Sequence, residues 1–233
     1  MARRKRDRAK IKERKQARDK EKQQQKMVQI GAAVIVLVVI GMIAFFSLKS
    51  EIGPEVADAR LELDPVRGNP DATVTITEYA AFGCSACRSW HEAGIVEDIL
   101  AQFPGQVNFV FRDMPIIIPA WDQAMGEIAQ CALDQSNDAF WLAHDTLYED
   151  TNQGRTSQPN AIDMVLADNS ALDADALHDC VDANTHASTV QYDRSRPEAA
   201  GIRGTPSWFI NGQQVYSASP QTLIQMIQAE LSS

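Results

Sequence analysis

Cysteine and histidine are both scarce in this chain, which carries 4 of each among its 233 residues. It has no second C-x-x-C pair, and no histidines at the spacing that a zinc site requires. Its acidic part also lacks a phosphate-binding loop, a nucleotide fingerprint and a nucleic-acid-binding motif. We therefore predict no metal, no cofactor and no nucleic-acid partner.

Positive charge is scarce beyond the first 26 residues. Residues 1–26 hold 13 Lys and Arg against 4 Asp and Glu, whereas the remainder holds 9 against 27. This asymmetry indicates that the two ends of the chain lie in different surroundings. The basic segment could bind nucleic acid or anionic lipid, but its Gln-rich composition without aromatic residues favours a topology signal.

Charge is absent from residues 27–48. As a helix these residues would span roughly 30 Å, the thickness of a hydrocarbon core. A cleaved signal peptide has a shorter apolar region followed closely by small residues, whereas Lys49 and Glu51 follow here, so we favour an uncleaved anchor. Because basic flanks stay in the cytoplasm, we predict a single-pass membrane protein with residues 49–233 outside.

The remaining chain divides into a short linker and one domain. Proline and glycine recur between residues 49 and 70 with little periodicity, which predicts a linker that ends in an edge strand. Residues 71–233 are enough for one well-buried domain.

Hydrophobic patterning within residues 71–233 predicts a β-α-β unit, a helical block and a β-β-α unit. The predicted order is strand Thr73–Tyr79, a helix from Cys84 to about Gln102, strand Val107–Phe111, several helices over about 119–200, strand Pro206–Ile210, an Asn211-Gly212 turn, strand Gln213–Tyr216 and a helix over about Pro220–Leu231. This order predicts an α/β fold of the thioredoxin-like type with a helical insertion.

The pair Cys84 and Cys87 lies where the first strand gives way to the first helix. Free backbone N–H groups and the helix dipole stabilise a thiolate at a helix start. The second cysteine follows one turn later, so the two can close a small disulfide ring that is oxidised and reduced repeatedly. The alternatives are a plain structural disulfide and a metal knuckle. Haem attachment would need a histidine where Arg88 stands.

Two longer motifs resemble the DsbA-like thiol–disulfide oxidoreductases. Residues 76–87, ITEYAAFGCSAC, are similar to the active-site strand and helix of that family. Residues 201–212, GIRGTPSWFING, are similar to its cis-proline loop and hairpin. Weaker similarity at 109–113 and 140–145 extends the resemblance over roughly residues 64–231.

The resemblance implies a role for five residues. Cys84 is expected to be an exposed nucleophile with a lowered pKa, and Cys87 a more buried resolving thiol. Pro206, preceded by Thr205, corresponds to the cis-proline, which presents a backbone edge to a peptide and hinders metal access to the sulfurs. Glu78 matches a buried acid that exchanges a proton with Cys87; the alternative is a solvent-facing strand residue.

The other two cysteines, Cys131 and Cys180, both fall in the predicted helical block. In an oxidising compartment we expect them to form a structural disulfide that joins two helices. The alternatives are two buried free thiols and a pair that passes oxidation to or from Cys84. His91 lies on the same helix face as Cys87 and could contact the site. The three remaining histidines, His144, His178 and His186, show no ligand or triad pattern.

These features predict a membrane-anchored, extracytoplasmic enzyme that forms disulfides in exported proteins through Cys84 and Cys87. The resemblance implies that a quinone-linked membrane partner reoxidises it. Strongly oxidising members carry Pro-His between the cysteines, whereas this chain has Ser85-Ala86. A reductase or isomerase using the same pair therefore stays open, as does a non-enzymatic copper-binding or redox-sensing domain.

Overall fold

The computed structural model describes residues 52–55, 64–149 and 156–232 of the chain, with backbone only for residues 52–55. The predicted basic segment, 1–26, and the predicted transmembrane helix, 27–48, lie outside these residues. Within the described ranges, no helix has both the length and the apolar character that crossing a bilayer requires.

Six strands in the described part of the chain form one mixed sheet. They are β1 (Ile52–Glu55), β2 (Val66–Gly68), β3 (Val74–Ala80), β4 (Val107–Asp113), β5 (Ser207–Ile210) and β6 (Gln213–Val215). The strand order is β1-β6-β5-β3-β4-β2. The pair β3 and β4 is parallel and every other pair is antiparallel, so the sheet has a parallel centre and antiparallel edges.

Helices occupy three places along the described chain. They are α1 (Ser85–Glu92) and α2 (Ile95–Gln102) between β3 and β4; α3 (Pro119–Leu133), α4 (Asn137–Glu149), α5 (Gln158–Asp168), α6 (Ala174–Asp182) and α7 (Ala187–Ala199) between β4 and β5; and α8 (Pro220–Leu231) after β6. This order confirms the predicted thioredoxin-like α/β fold with a helical insertion.

The single helix predicted from Cys84 to about Gln102 is wrong, because two helices occupy that span. Helix α1 ends at Glu92, and Gly94 adopts a left-handed conformation with φ of 63° before α2 begins. Glycine takes this conformation without steric cost, which is why it commonly ends a helix. The interruption lets α1 present the cysteine pair while α2 takes a separate course along the sheet.

The predicted linker contains both edge strands of the sheet. Strand β2 pairs with β4 and is the predicted edge strand. Strand β1 pairs with β6 at the opposite edge, where Ile52 lies opposite Val215. Sequence patterning missed β1 because it contains Gly53 and Pro54, and proline in a strand is tolerated mainly at an edge.

The two central strands are buried along almost their whole length. Every residue of β4 is buried, as is every residue of β3 except Thr75. Because successive side chains face opposite sides of a strand, this pattern means that both faces of the sheet are covered. Helices α2, α7 and α8 contact these strands. The hydrophobic core that results includes both Cys84 and Cys87.

Candidate redox-active site

The cysteine pair is positioned by the turn that connects β3 to α1. Cys84 is the N-cap residue of α1, and its Sγ accepts a hydrogen bond from the backbone N–H of Cys87 at 3.3 Å. An N-cap side chain normally satisfies one of the free N–H groups of the first turn. Here a sulfur takes that place, so the helix itself stabilises negative charge on Cys84.

The two thiols titrate in opposite directions. The hydrogen bond from the Cys87 side chain is the largest influence on Cys84, and it outweighs burial to lower the pKa of Cys84 to about 6. Burial raises the pKa of Cys87 well above its ordinary value. Both are free cysteines. At neutral pH this arrangement favours a thiolate at Cys84 and a thiol at Cys87.

The expectation that Cys84 is exposed is wrong. Only 4% of the residue is accessible to solvent, against 2% of Cys87. The carbonyl oxygen of Thr205 lies 3.4 Å from Sγ of Cys84, so the loop before β5 covers the sulfur. The peptide bond between Thr205 and Pro206 is cis. The fold therefore brings this loop, 121 residues along the chain, against the cysteine pair.

Glu78 lies beneath the cysteines on the central strand β3. It pairs across the sheet with Trp208 of β5 on one side and Phe111 of β4 on the other. Only 6% of Glu78 is accessible to solvent, so this residue is buried rather than solvent-facing. Burial, followed by the nearby Cys84, raises the pKa of Glu78 well above its ordinary value.

A histidine to which the sequence assigned no chemistry lies near this acid. His144 of α4 is 3% exposed and packs against the rings of Phe111, Trp141 and Tyr148 at centroid distances of 4.7, 5.1 and 4.9 Å. Burial lowers the pKa of His144 to about 4. Its i, i+4 spacing from Phe140 and Tyr148 is the sequence signal that places it on an apolar helix face.

His91 contributes to the same group of rings from helix α1. It stacks on Tyr148 with centroids 5.4 Å apart and lies edge-on to His144 at the same distance. Its Nδ1 is 3.9 Å from Asp145. His91 therefore lies in the ring cluster behind the cysteines, and its contact with the cysteine pair stays a prediction.

Asp122 of α3 is a second residue that sequence patterning missed. Its carboxylate accepts backbone N–H groups from Gly83 at 2.7 Å, Ile117 at 3.0 Å and Ile118 at 2.7 Å. A Cβ at position 83 would lie 2.6 Å from Asp122 Oδ1, so the close approach depends on glycine. Asp122 thereby fastens the residue before Cys84 to the helical insertion.

Two groups of side chains in the described residues have donor atoms close enough for a metal ion, within 4.8 Å of one another. In the first group, with His91 and His144, Asp145 already accepts from Arg67 Nη2 with both oxygens, at 2.8 and 2.9 Å. The second includes Cys131 and Cys180 with His186, and those sulfurs are bonded to each other. Because a guanidinium and a disulfide occupy these ligands, we assign a metal to neither group.

Cys131 of α3 and Cys180 of α6 form a disulfide with an S–S distance of 2.04 Å and a Cα–Cα distance of 5.8 Å. The bond joins two helices of the insertion across a sequence separation of 49 residues.

Known proteins resemble this chain over most of its length. A family model described as thioredoxin matches residues 61–229. Probable disulfide bond formation protein D of Bacillus cereus is 26% identical over 189 residues, which are 77% of this chain and 85% of that protein. The oxidised crystal structure of BdbD from Bacillus subtilis superimposes with a TM-score of 0.67 at 22% identity, covering 78% of this chain and 99% of that chain.

Another relative is a much longer protein. Na(+)/H(+) antiporter NhaA 3 of Salinispora tropica is 28% identical over 164 residues, which are 68% of this chain. The chain spans about a quarter of the length of that relative and of its counterpart in Salinispora arenicola. Because the family match runs through both cysteines, the loop at Pro206 and the whole insertion, this chain belongs to the thioredoxin family.

Proposed function

We propose that this chain is an extracytoplasmic enzyme that forms disulfide bonds in exported proteins, with Cys84 and Cys87 as its redox pair. The observation that carries this proposal is the position of Cys84 Sγ at the start of α1, where it accepts the Cys87 N–H at 3.3 Å and lies 3.4 Å from the Thr205 carbonyl. This position is consistent with a pKa lowered to about 6 at Cys84 and raised at Cys87. A stabilised thiolate favours the reduced pair, and a pair that favours its reduced form is a strong oxidant of other thiols.

The reaction begins with the Cys84–Cys87 disulfide. A substrate thiolate attacks Sγ of Cys84, the bond between the two cysteines breaks, and Cys87 leaves as a thiolate that takes up a proton. A second substrate thiolate then attacks the substrate sulfur of the mixed disulfide, and Cys84 leaves as a thiolate. Two electrons pass from the substrate, which becomes a disulfide, to the enzyme, which becomes a dithiol.

The roles of the surrounding residues follow from their positions. Glu78 is buried beside the pair and burial raises its pKa, which favours a protonated carboxyl that can give Cys87 its proton and recover it on reoxidation. The backbone of Thr205, 3.4 Å from the attacked sulfur, leads into the edge on which an extended substrate would lie. Pro206 holds that edge open to the cysteines. The Cys131–Cys180 bond is structural in this scheme.

Regeneration requires an oxidant outside this domain. We propose a quinone-linked membrane protein that accepts the two electrons from the Cys84–Cys87 dithiol. Residues 27–48 would anchor the chain in the same membrane, with the redox domain outside and the basic residues 1–26 in the cytoplasm. Supporting the formation of disulfides, relatives from Bacillus carry the name disulfide bond formation protein D.

A second candidate function is a reductase or isomerase using the same cysteines. The observation in its favour is Ser85-Ala86, which stands where strongly oxidising members have Pro-His. Electrons would then flow from the enzyme to substrate disulfides, and they would have to be delivered across the membrane.

The reduction potential of the Cys84–Cys87 pair distinguishes the two directions. We expect a value of about −120 to −150 mV in glutathione buffers, close to the oxidising end of the range. The full chain should be measured beside a Cys131→Ala/Cys180→Ala variant, which leaves the redox pair as its sole cysteines. A value of about −270 mV, like that of thioredoxin, would instead assign the reductase function. A Cys84→Ala chain that keeps its biological role would contradict both enzyme functions and favour a non-enzymatic binding role.

A further inference from the structure

A small cavity lies behind the redox pair, between β3, β5, α1 and α4. Its volume is about 10 Å³, and its walls include Glu78, His91, His144, Tyr148 and Trp208. A cavity of this size holds about one water molecule, provided that two to four polar groups face it. The nature of those groups therefore decides whether the cavity is dry or hydrated.

Three buried polar atoms of the cavity walls have no hydrogen-bond partner among the described residues. They are Oε1 of Glu78, Nε2 of His144 and Nε1 of Trp208. Such atoms are rare in folded proteins, and when they occur together around a small space a bound water commonly satisfies them. One water can accept from the Trp208 N–H and bond to the other two atoms.

The other ring nitrogen of His144, Nδ1, faces a partly exposed residue. Nδ1 of His144 lies 2.8 Å from Oδ1 of Asp145. The side chain of Asp145 is 35% exposed and is held by Arg67. Polar atoms that can exchange protons therefore extend from the buried Glu78, through the cavity, to an accessible carboxylate.

We propose that a water in this cavity joins Glu78 to His144, and that His144 and Asp145 carry the proton that Glu78 exchanges with Cys87 to and from solvent. This inference rests on the proposed function, in which Glu78 serves Cys87. His144 acts through Glu78 and touches no substrate, so it is a relay residue and not a catalytic one.

The proton balance of the relay is simple. When the active-site disulfide opens, Glu78 gives its proton to the Cys87 thiolate and becomes a carboxylate. The water then gives a proton to Glu78 and takes one from the His144–Asp145 side, so one solvent proton enters for each Cys87 protonated. When Cys87 attacks a mixed disulfide at Cys84, the same proton leaves by the reverse path.

A path on this side of the site is needed because little of the cysteine pair is accessible to solvent on the other side. Cys84 is 4% exposed in the free enzyme, under the loop that carries Thr205. A substrate joined to Cys84 would cover what remains. Glu78 must therefore exchange protons from behind while the mixed disulfide exists.

The experiment uses the full chain with glutathione joined to Cys84, and measures how fast Cys87 displaces the glutathione. We compare wild type with His144→Gln, whose amide can still bond the water but cannot pass on a proton, and with His144→Phe, which preserves a ring. His91→Gln is the matched control. His91 lines the same cavity, but its ring nitrogens lie near Asp145 and Glu149. Each change is also made together with Glu78→Gln.

We expect both His144 variants to slow glutathione release by about tenfold, less than the roughly 100-fold or more for loss of the acid–base group itself, because His144 acts through Glu78. The His144 changes should cause no further slowing of glutathione release when Glu78→Gln is already present, because both residues lie on one proton path. The reduction potential should stay unchanged, because a relay alters forward and reverse rates equally. His91→Gln should behave like wild type.

The relay is overturned if His144→Gln releases glutathione at the wild-type rate, if the His144 and Glu78 effects multiply, or if His91→Gln alone is slow. A shifted reduction potential with a slowed rate would assign His144 a structural role. Failure of the proposed function is a separate result: wild type itself would then fail to form or release the glutathione adduct at Cys84.

Discussion

Two cysteines one helical turn apart acquire different acidities from their positions alone. Cys84 lies at the helix start, where free N–H groups converge. Cys87 is enclosed by the core, and burial raises its pKa. Each thiol also acts on the other, because Cys87 donates to Cys84. The acidity of Cys84 therefore depends on the identity of the residue at position 87.

Replacing Cys87 tests this dependence. We expect Cys87→Ala to raise the pKa of Cys84 from about 6 toward the ordinary thiol range, because the largest stabilising hydrogen bond is lost. Cys87→Ser keeps a donor and should leave the pKa closer to about 6. The ultraviolet absorbance of the thiolate measures both, and it disappears as the pH falls through the pKa. If neither variant moves the midpoint from that of wild type, the helix start alone stabilises the thiolate.

At the scale of elements, the redox loop, residues 81–84 between β3 and α1, is held by a helix of the insertion, which lies outside the β-α-β and β-β-α units. Asp122 belongs to the insertion helix α3, and it binds both the residue before Cys84 and the backbone that enters α3. One carboxylate thus satisfies three N–H groups from two connections, one of them buried and two half-buried. The insertion therefore supports the active site directly.

Removing this carboxylate should destabilise the chain. We expect Asp122→Ala to lower the free energy of unfolding by about 3 kcal/mol, because it leaves the buried N–H of Gly83 and two half-buried N–H groups without acceptors. Asp122→Asn keeps one oxygen and should cost less. Urea unfolding measures the loss, and Asp163→Ala, an exposed acid on α5, should change it by no more than about 0.5 kcal/mol. Equal stability of Asp122→Ala and Asp163→Ala would contradict the role of Asp122.

At the scale of the whole molecule, the insertion is closed by its own covalent link. The Cys131–Cys180 bond ties α3, which carries Asp122, to α6. Closing a loop of 49 residues restricts the unfolded chain more than the folded one. The bond therefore secures the part of the molecule that supports the redox loop, without taking part in exchange.

We expect Cys131→Ala/Cys180→Ala to lower the free energy of unfolding by up to about 4 kcal/mol, the value for a loop of this length. The pKa of Cys84 should stay at about 6, because neither cysteine is among the groups that set it. Chemical unfolding and thiolate titration of the same variant measure the two quantities. A large change in the pKa of Cys84 would indicate that the bond communicates with the redox pair.

Sequence patterning predicted most of the fold because its signals are local. The periodicities of 73–79 and 220–231 and the turn at Asn211-Gly212 each arise within a few residues. Strand β1 and the break at Gly94 were missed for a physical reason. An edge strand is defined by the strand it pairs with, and a helix interruption by the direction in which the next helix must pack.

The sequence by itself determined the redox chemistry of this protein, because the spacing of Cys84 and Cys87 at a helix start is a property of adjacent residues. Only the tertiary structure decided that Cys84 is covered, that Glu78 is buried, and that His144 lies behind it. Burial and the pKa shifts that follow depend on which distant segments meet in space. In this chain those segments are the loop at Thr205, the insertion helices and the central strands.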